Sequence, residues 1–257
     1  MVKPGIAVIS AGKLACSQHL SNLAGIENVY FKTVCDLDKS LVEKAQKSFN
    51  IPYGTTDFNE VINDPEIQGL IVATRADTHA ELATRALAAG KHVYVEKPLA
   101  ETSEECEAIG RAADEAGKIC AIGFNRRMAP CIQKAKSLIQ AHGGASSICY
   151  RLSDAYFIYK WVHGKKGHED PNDKIVHEIC HIFDLMRYLT GSEAEYIHNV
   201  SSRANDDIIT LKFKNGSTAV INSCSHVSYE QHKEYMEVMC REPGLFYGQG
   251  GLFMMLM

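Results

Sequence analysis

The sequence predicts a doubly wound α/β domain followed by an α+β domain with a mainly antiparallel, open sheet. Three features carry that expectation. Apolar runs alternate with helix-period segments through the first 123 residues. Those runs are unbroken, as strands of a parallel sheet buried on both faces are. Beyond residue 143 the pattern changes to period-2 alternation, interrupted by one strong helix.

Each element follows from its own stretch. Gly5–Ser10 is an apolar run ending at a glycine turn; Tyr30–Cys35, Leu70–Thr74, His92–Glu96 and Ile119–Gly123 read as the strands after it. Between them, helices are expected over Leu14–Ala24, Lys39–Phe49, Phe58–Asn63, Thr78–Ala89 and Ser103–Ala116. Gly90 and Gly117 stand where helix C-termini favour glycine. After a helix over Pro130–Ala141, Ile148, Tyr150 and Leu152 alternate with polar partners, and a helix is expected over Ile175–Leu189. Asp207–Phe213, Ser217–Cys224 and Tyr235–Cys240 read as strands, with Lys214-Asn215-Gly216 as a hairpin signal. The domains are therefore expected at 1–123 and 124–257.

Composition narrows the function classes. The chain has 257 residues, with 27 Lys and Arg against 31 Asp and Glu for a net charge of −4. It has no basic block, so it lacks the electrostatic footprint of a nucleic-acid or anionic-membrane binder. No run approaches the roughly 18 apolar residues of a bilayer span. The N-terminus runs straight into a strand, and nine cysteines are scattered without a CxxC pair. Both point to a cytoplasmic protein with reduced thiols.

Several residues could carry chemistry. Ser10-Ala11-Gly12-Lys13-Leu14-Ala15 occupies the place of a G-x-G-x-x-G turn but keeps only the middle glycine, which lets backbone approach a pyrophosphate at a helix N-terminus. Asp36 follows the second strand, where a carboxylate accepts hydrogen bonds from an adenosine ribose; the plainer role is a helix cap shared with Asp38. A carboxylate there repels a 2′-phosphate and favours NAD over NADP. Glu96-Lys97-Pro98 stands at the C-terminal end of a strand, where open α/β sheets bind ligands. His177-Glu178-Ile179-Cys180-His181 matches H-E-x-x-H, a zinc-hydrolase pattern with Glu178 as base. A third ligand is not evident. The other readings are two histidines packed structurally, or two imidazoles aimed into a cleft with one exchanging a proton with substrate.

Four strings together resemble one family: Val72-Ala73-Thr74 with His79, Ala88-Ala89-Gly90-Lys91-His92-Val93-Tyr94-Val95-Glu96-Lys97-Pro98-Leu99, Gly123-Phe124-Asn125-Arg126-Arg127, and His181-Ile182-Phe183-Asp184-Leu185. They are similar to the glucose–fructose oxidoreductase/inositol dehydrogenase (Gfo/Idh/MocA) family, over about Gly5 to Cys240. The resemblance implies an NAD-dependent oxidoreductase with a Rossmann domain, acting on a polyol, cyclitol or sugar hydroxyl. It implies Lys97 as the active-site lysine and His181 as the histidine that takes the hydroxyl proton. Gly12, Lys13, Leu14, Asp36, Thr74, His79 and Glu96 would line the dinucleotide, and Asn125 and Arg127 the substrate. No metal is needed, and a homo-oligomer is the expected assembly.

Two departures qualify the match. The family commonly has an aspartate four residues before the catalytic histidine, and His177 stands there; an imidazole does not raise its neighbour's basicity as a carboxylate does. The chain also ends early for the family, on a glycine-rich apolar tail, so the second sheet is expected to be incomplete. These departures leave a non-catalytic dinucleotide-binding remnant as the alternative, with the zinc hydrolase behind it.

Overall fold

The computed structural model describes residues 2–153, 174–202, 206–225 and 232–242, together with the backbone of strands 245–249 and 252–256. The chain forms two compact units, Met1–Gly123 and Phe124–Met257.

The first unit is built on six parallel strands, β1 (Gly5–Ile9), β2 (Tyr30–Cys35), β3 (Tyr53–Thr55), β4 (Ile67–Val72), β5 (His92–Val95) and β6 (Cys120–Ile122), in the order β3-β2-β1-β4-β5-β6. Successive β1 side chains face opposite sides. Val8 joins Leu20, Val34 and Val42 in one core, whereas Ala7 and Ile9 join Leu70, Val93, Leu87 and Ile109 in another. The first core lies under α1 (Ser21–Leu23, continuing a π-helical stretch Ala15–Leu20) and α2 (Lys39–Phe49). The second lies under α3 (Phe58–Asn63), α4 (Ala76–Ala88) and α5 (Ser103–Ala116). The helix boundaries are chemical. Asp38 and Asp57 accept the first free N–H groups of α2 and α3, a Thr102–Glu105 capping box opens α5, and Gly117 closes it at φ = 60°.

The second unit has a seven-stranded sheet, ordered β13-β12-β11-β7-β10-β9-β8. Its strands are β7 (Ala145–Ser153), β8 (Ala194–Ser201), β9 (Asp207–Phe213), β10 (Thr218–Cys224), β11 (Glu234–Cys240), β12 (Leu245–Gln249) and β13 (Leu252–Leu256). β7 and β10 pair in parallel; the other pairs are antiparallel. One face is covered by α6 (Pro130–Ala141) and α7 (Cys180–Thr190), the latter continuing a π-helical turn Ile175–Ile179. Ile132, Ile139, Ile182, Leu185 and Leu189 there bury Ile148, Leu152, Leu211 and Ile221. Asn215-Gly216 makes the β9–β10 turn, with Gly216 at φ = 85°.

The structure adds what the sequence reading omitted. β3 is three residues long, and β8, although it carries Tyr196, Ile197 and Val200, is exposed along its whole length. The apolar tail, read from sequence as out of place, contributes β12 and β13 to the sheet. All nine cysteines are free thiols.

Candidate functional site

Because the first sheet is parallel, the segments that follow β1, β2, β4 and β5 all emerge at one edge. The strand order reverses at β1, between β2 and β4, and such switch points are where open α/β sheets bind ligands. After β1, Ser10 adopts φ = 119°, a conformation that suits glycine. Its N–H donates to the Cys35 carbonyl (2.8 Å) and its Oγ accepts from Gly12 N–H (3.1 Å). Asp36 Oδ2 accepts from Ala11 N–H (2.7 Å), and Oδ1 accepts from Asp38 N–H (3.0 Å). The helix-capping role falls to Asp38, so Asp36 is the residue that holds the turn.

This turn fits a dinucleotide. A Cβ on Gly12 would meet only Ser10 Oγ, at 3.3 Å, so its backbone is open to a phosphate. Lys13 and Leu14 are exposed beside it. The Asp36 carboxylate, with two acceptances made of about four possible, keeps capacity for ribose hydroxyls.

After β4, Thr74 Oγ1 lies 2.7 Å from Thr78 Oγ1. His79, expected to line the dinucleotide, is 1% exposed; its Nδ1 lies 2.7 Å from the Pro98 carbonyl and its Nε2 3.2 Å from the Thr74 carbonyl. Both ring nitrogens face backbone carbonyls, so the buried ring packs between the loops beside the site. After β5, Glu96 Oε1 lies 2.9 Å from His19 Nε2, and Glu96 Oε2 accepts Lys97's own N–H at 3.1 Å. Burial pushes the Glu96 carboxyl up, but the hydrogen bonds and charges of His19 and Lys97 outweigh it and hold the group below the usual glutamate range.

In the second unit, Asn125–Met128 forms a 3-10 turn. Asn125 is exposed. Arg127, expected on the substrate side, aims its guanidinium at buried Asp184: Nε donates to Oδ2 (2.7 Å) and Nη2 to Oδ1 (2.5 Å), with the Tyr188 ring 5.2 Å away. That bidentate pair locks the turn to α7. His181, one turn before Asp184, is 6% exposed and meets the Phe124 ring edge-on at 5.7 Å. His177 lies half-buried on the π-helical turn.

Glu178 pairs with Arg126 (3.1 Å) and Lys233 (2.8 Å). The carboxylate that a zinc hydrolase would use as base is thus neutralised by two cations. Among the described residues no three His, Cys, Asp or Glu side chains converge to hold a metal. Arg126 also donates to Glu234 Oε1 (2.9 and 2.6 Å), and Tyr150 Oη donates to Glu234 Oε2 (2.6 Å). Sequence reasoning gave no role to His19, Asp184 or Glu234. Their partners lie 77, 57 and 108 residues away, and no local spacing marks such pairs.

Comparison with known proteins accords with this geometry. Residues 5–124 match the model of GFO_IDH_MocA, the oxidoreductase family with an NAD-binding Rossmann fold. The chain is 27% identical over 260 residues to the scyllo-inositol 2-dehydrogenase (NAD(+)) of Bacillus subtilis, covering 94% of this chain and 73% of that protein. The matches span 42% to 73% of the lengths of such curated relatives. Among solved structures, myo-inositol 2-dehydrogenase from Lactobacillus plantarum superposes with a TM-score of 0.82 at 20% identity, over 96% of this chain and 76% of that one. Scyllo-inositol dehydrogenase from Lactobacillus casei, with bound NAD(H) and scyllo-inositol, gives 0.81 at 17%, over 96% and 76%. At these identities the structures speak for the fold. The dinucleotide-binding unit is thus what places residues 5–124 with the Gfo/Idh/MocA oxidoreductases, a family with an NAD-binding Rossmann fold.

Proposed function

We propose that the chain is an NAD-dependent dehydrogenase that oxidises a secondary hydroxyl of a polyol, cyclitol or sugar. The observation that carries this reading is the gathering of the Gly12 turn, Asp36, Thr74 and Glu96-Lys97 after the C-terminal ends of adjacent parallel strands. Relatives named as inositol dehydrogenases supply the substrate class.

When bound, the nicotinamide supplies the hydride acceptor. In the proposed roles, the turn at Ser10–Gly12 receives the pyrophosphate and Asp36 the adenosine ribose. Lys97 hydrogen-bonds the reacting oxygen and favours its negative charge. His181 accepts the hydroxyl proton, with His177 on the preceding turn as its neighbour in the proton path. Asn125 orients the substrate. Assembly into a homo-oligomer belongs to the same proposal, and the sheet face opposite α6 and α7, where Ile208, Val220 and Met239 are exposed, is a surface for it.

The test begins with nicotinamide fluorescence on titration with NADH and NADPH, followed by a screen of inositols and sugars for growth of reduced-cofactor absorbance. NADH is expected to bind more tightly, and Lys97→Ala to abolish the growth while leaving NADH binding nearly intact. Turnover that survives Lys97→Ala defeats the assignment. NADH binding without turnover on any polyol favours the non-catalytic alternative.

A further inference from the structure

His19 lies in the π-helical stretch Ala15–Leu20 that follows the Gly12 turn. Wide turns of this kind recur at functional sites, where they re-aim a side chain. Here the imidazole reaches Glu96, with Nε2 and Oε1 2.9 Å apart and the two side chains only 13% and 14% exposed. The other Glu96 oxygen accepts the N–H of Lys97, and the Glu96 N–H donates to the Val72 carbonyl at 2.9 Å. The Tyr94 ring meets the imidazole edge-on at 5.7 Å. Gly123 closes the cluster, because a methyl group there would stand 3.0 Å from both Glu96 Oε2 and Tyr94 Oη.

A nearly buried carboxylate with both oxygens committed has little freedom to turn. The peptide it holds is the one from which the Lys97 side chain departs. We propose that His19 is a positioning residue for Lys97: through Glu96 it fixes the strand-end peptide that carries the lysine. The helix that follows the dinucleotide turn is thereby tied to the lysine loop. This inference rests on the reading of Lys97 as the residue that contacts the reacting oxygen.

The experiment compares His19→Ala, His19→Gln and Gly123→Ala with the unaltered full chain. The glutamine amide can still donate to Glu96 Oε1, whereas alanine cannot; Gly123→Ala pushes on Glu96 without removing a polar group. With NAD and the polyol found in the screen, His19→Ala is expected to lower kcat about 10- to 100-fold, the scale of a slight misplacement of a reacting group. NADH Kd and polyol KM should stay within about threefold, and His19→Gln should recover kcat to within about threefold of the unaltered enzyme. Unchanged kcat in His19→Ala overturns the proposal, as does a His19→Gln variant as slow as His19→Ala. A second readout needs no turnover: the 13C resonance of Lys97 in reductively dimethylated protein, assigned by its absence in Lys97→Arg. It should shift in His19→Ala and Gly123→Ala and return in His19→Gln; an unmoved resonance overturns the proposal. If no polyol is turned over, the dehydrogenase reading fails while this resonance still decides the role of His19. If His19→Ala does not fold, Gly123→Ala decides it through the Lys97 resonance: a shift supports the proposal and an unmoved resonance overturns it.

Discussion

Ser10 carries a backbone conformation of φ = 119°, which an L side chain rarely adopts. Strain of that kind costs on the order of 1–3 kcal/mol, against about 0.5–1.5 kcal/mol returned by the hydroxyl's bond to Gly12 N–H. Ser10→Ala keeps the strain and loses the bond; Ser10→Gly loses both. The glycine variant is therefore expected to be about 1–2 kcal/mol more stable than the alanine variant in urea unfolding, and equal stability would mean that the turn relaxes without cost. Asp36 can be tested separately, because its carboxylate holds Ala11 N–H and faces the ribose in the proposed pose. Asp36→Ala should raise NADH Kd about tenfold, the scale of one hydrogen bond to a charged group, and narrow the preference over NADPH. At this scale the sequence was only partly legible. Gly12, Asp36 and Lys97 stand out by their place after apolar runs. Type and position gave His79 and Arg127 their expected roles toward ligands but did not disclose their contacts with the Pro98 carbonyl and Asp184.

Among the elements, those with chemical punctuation were readable. α2, α3, α5 and α6 have the expected bounds because Asp38, Asp57, Thr102 and Pro130 begin them and Asn50 and Gly117 supply left-handed ends to α2 and α5. The π-helical turns at Ala15–Leu20 and Ile175–Ile179 were not readable, since one wide turn barely alters the apolar period. In the second unit an ion pair adds to the apolar core that joins the elements. Arg127 clamps the Asn125 turn to α7 through Asp184, and Asp184→Asn is expected to destabilise the chain by about 1–3 kcal/mol because it unbalances a buried bidentate pair. Arg127→Lys should not substitute, having no planar fork to match the carboxylate; urea unfolding of both variants checks the pair. Glu234 gives the pH dependence. Burial pushes its carboxyl up, but Arg126, Tyr150 and Lys233 more than offset this and hold it below the usual glutamate range. A depressed native pKa means that its stabilisation is fully present above the unfolded value of about 4.3. It is lost as pH falls through the native one. Glu234→Gln should flatten the fall in thermal stability between roughly pH 5 and pH 3, and an unchanged slope would show that other carboxylates set the acid limit.

At the scale of the whole chain, the cores explain why the architecture was legible when individual contacts were not. Fold class depends on the period of apolar residues summed over many positions, and β1, the Leu70–Val72 part of β4 and the Val93–Val95 part of β5 are unbroken apolar runs that both layers of helices cover. β8 has no such signature: it sits at a sheet edge with every side chain exposed. The first unit's cores contain residues of that unit alone, as does the second unit's core. A ligand that binds only the folded first unit must therefore stabilise it by mass action, by about 2.7 kcal/mol at a free concentration one hundred times Kd. Circular dichroism melts with saturating NADH should show an upward shift that grows with the logarithm of NADH concentration. Asp36→Ala, with its weaker binding, should need about ten times more NADH for the same shift. A shift of equal size in both proteins at every concentration would place the adenosine ribose away from Asp36. The expected displacement of one curve along the concentration axis would tie that carboxylate to NAD in a measurement that needs no knowledge of the substrate.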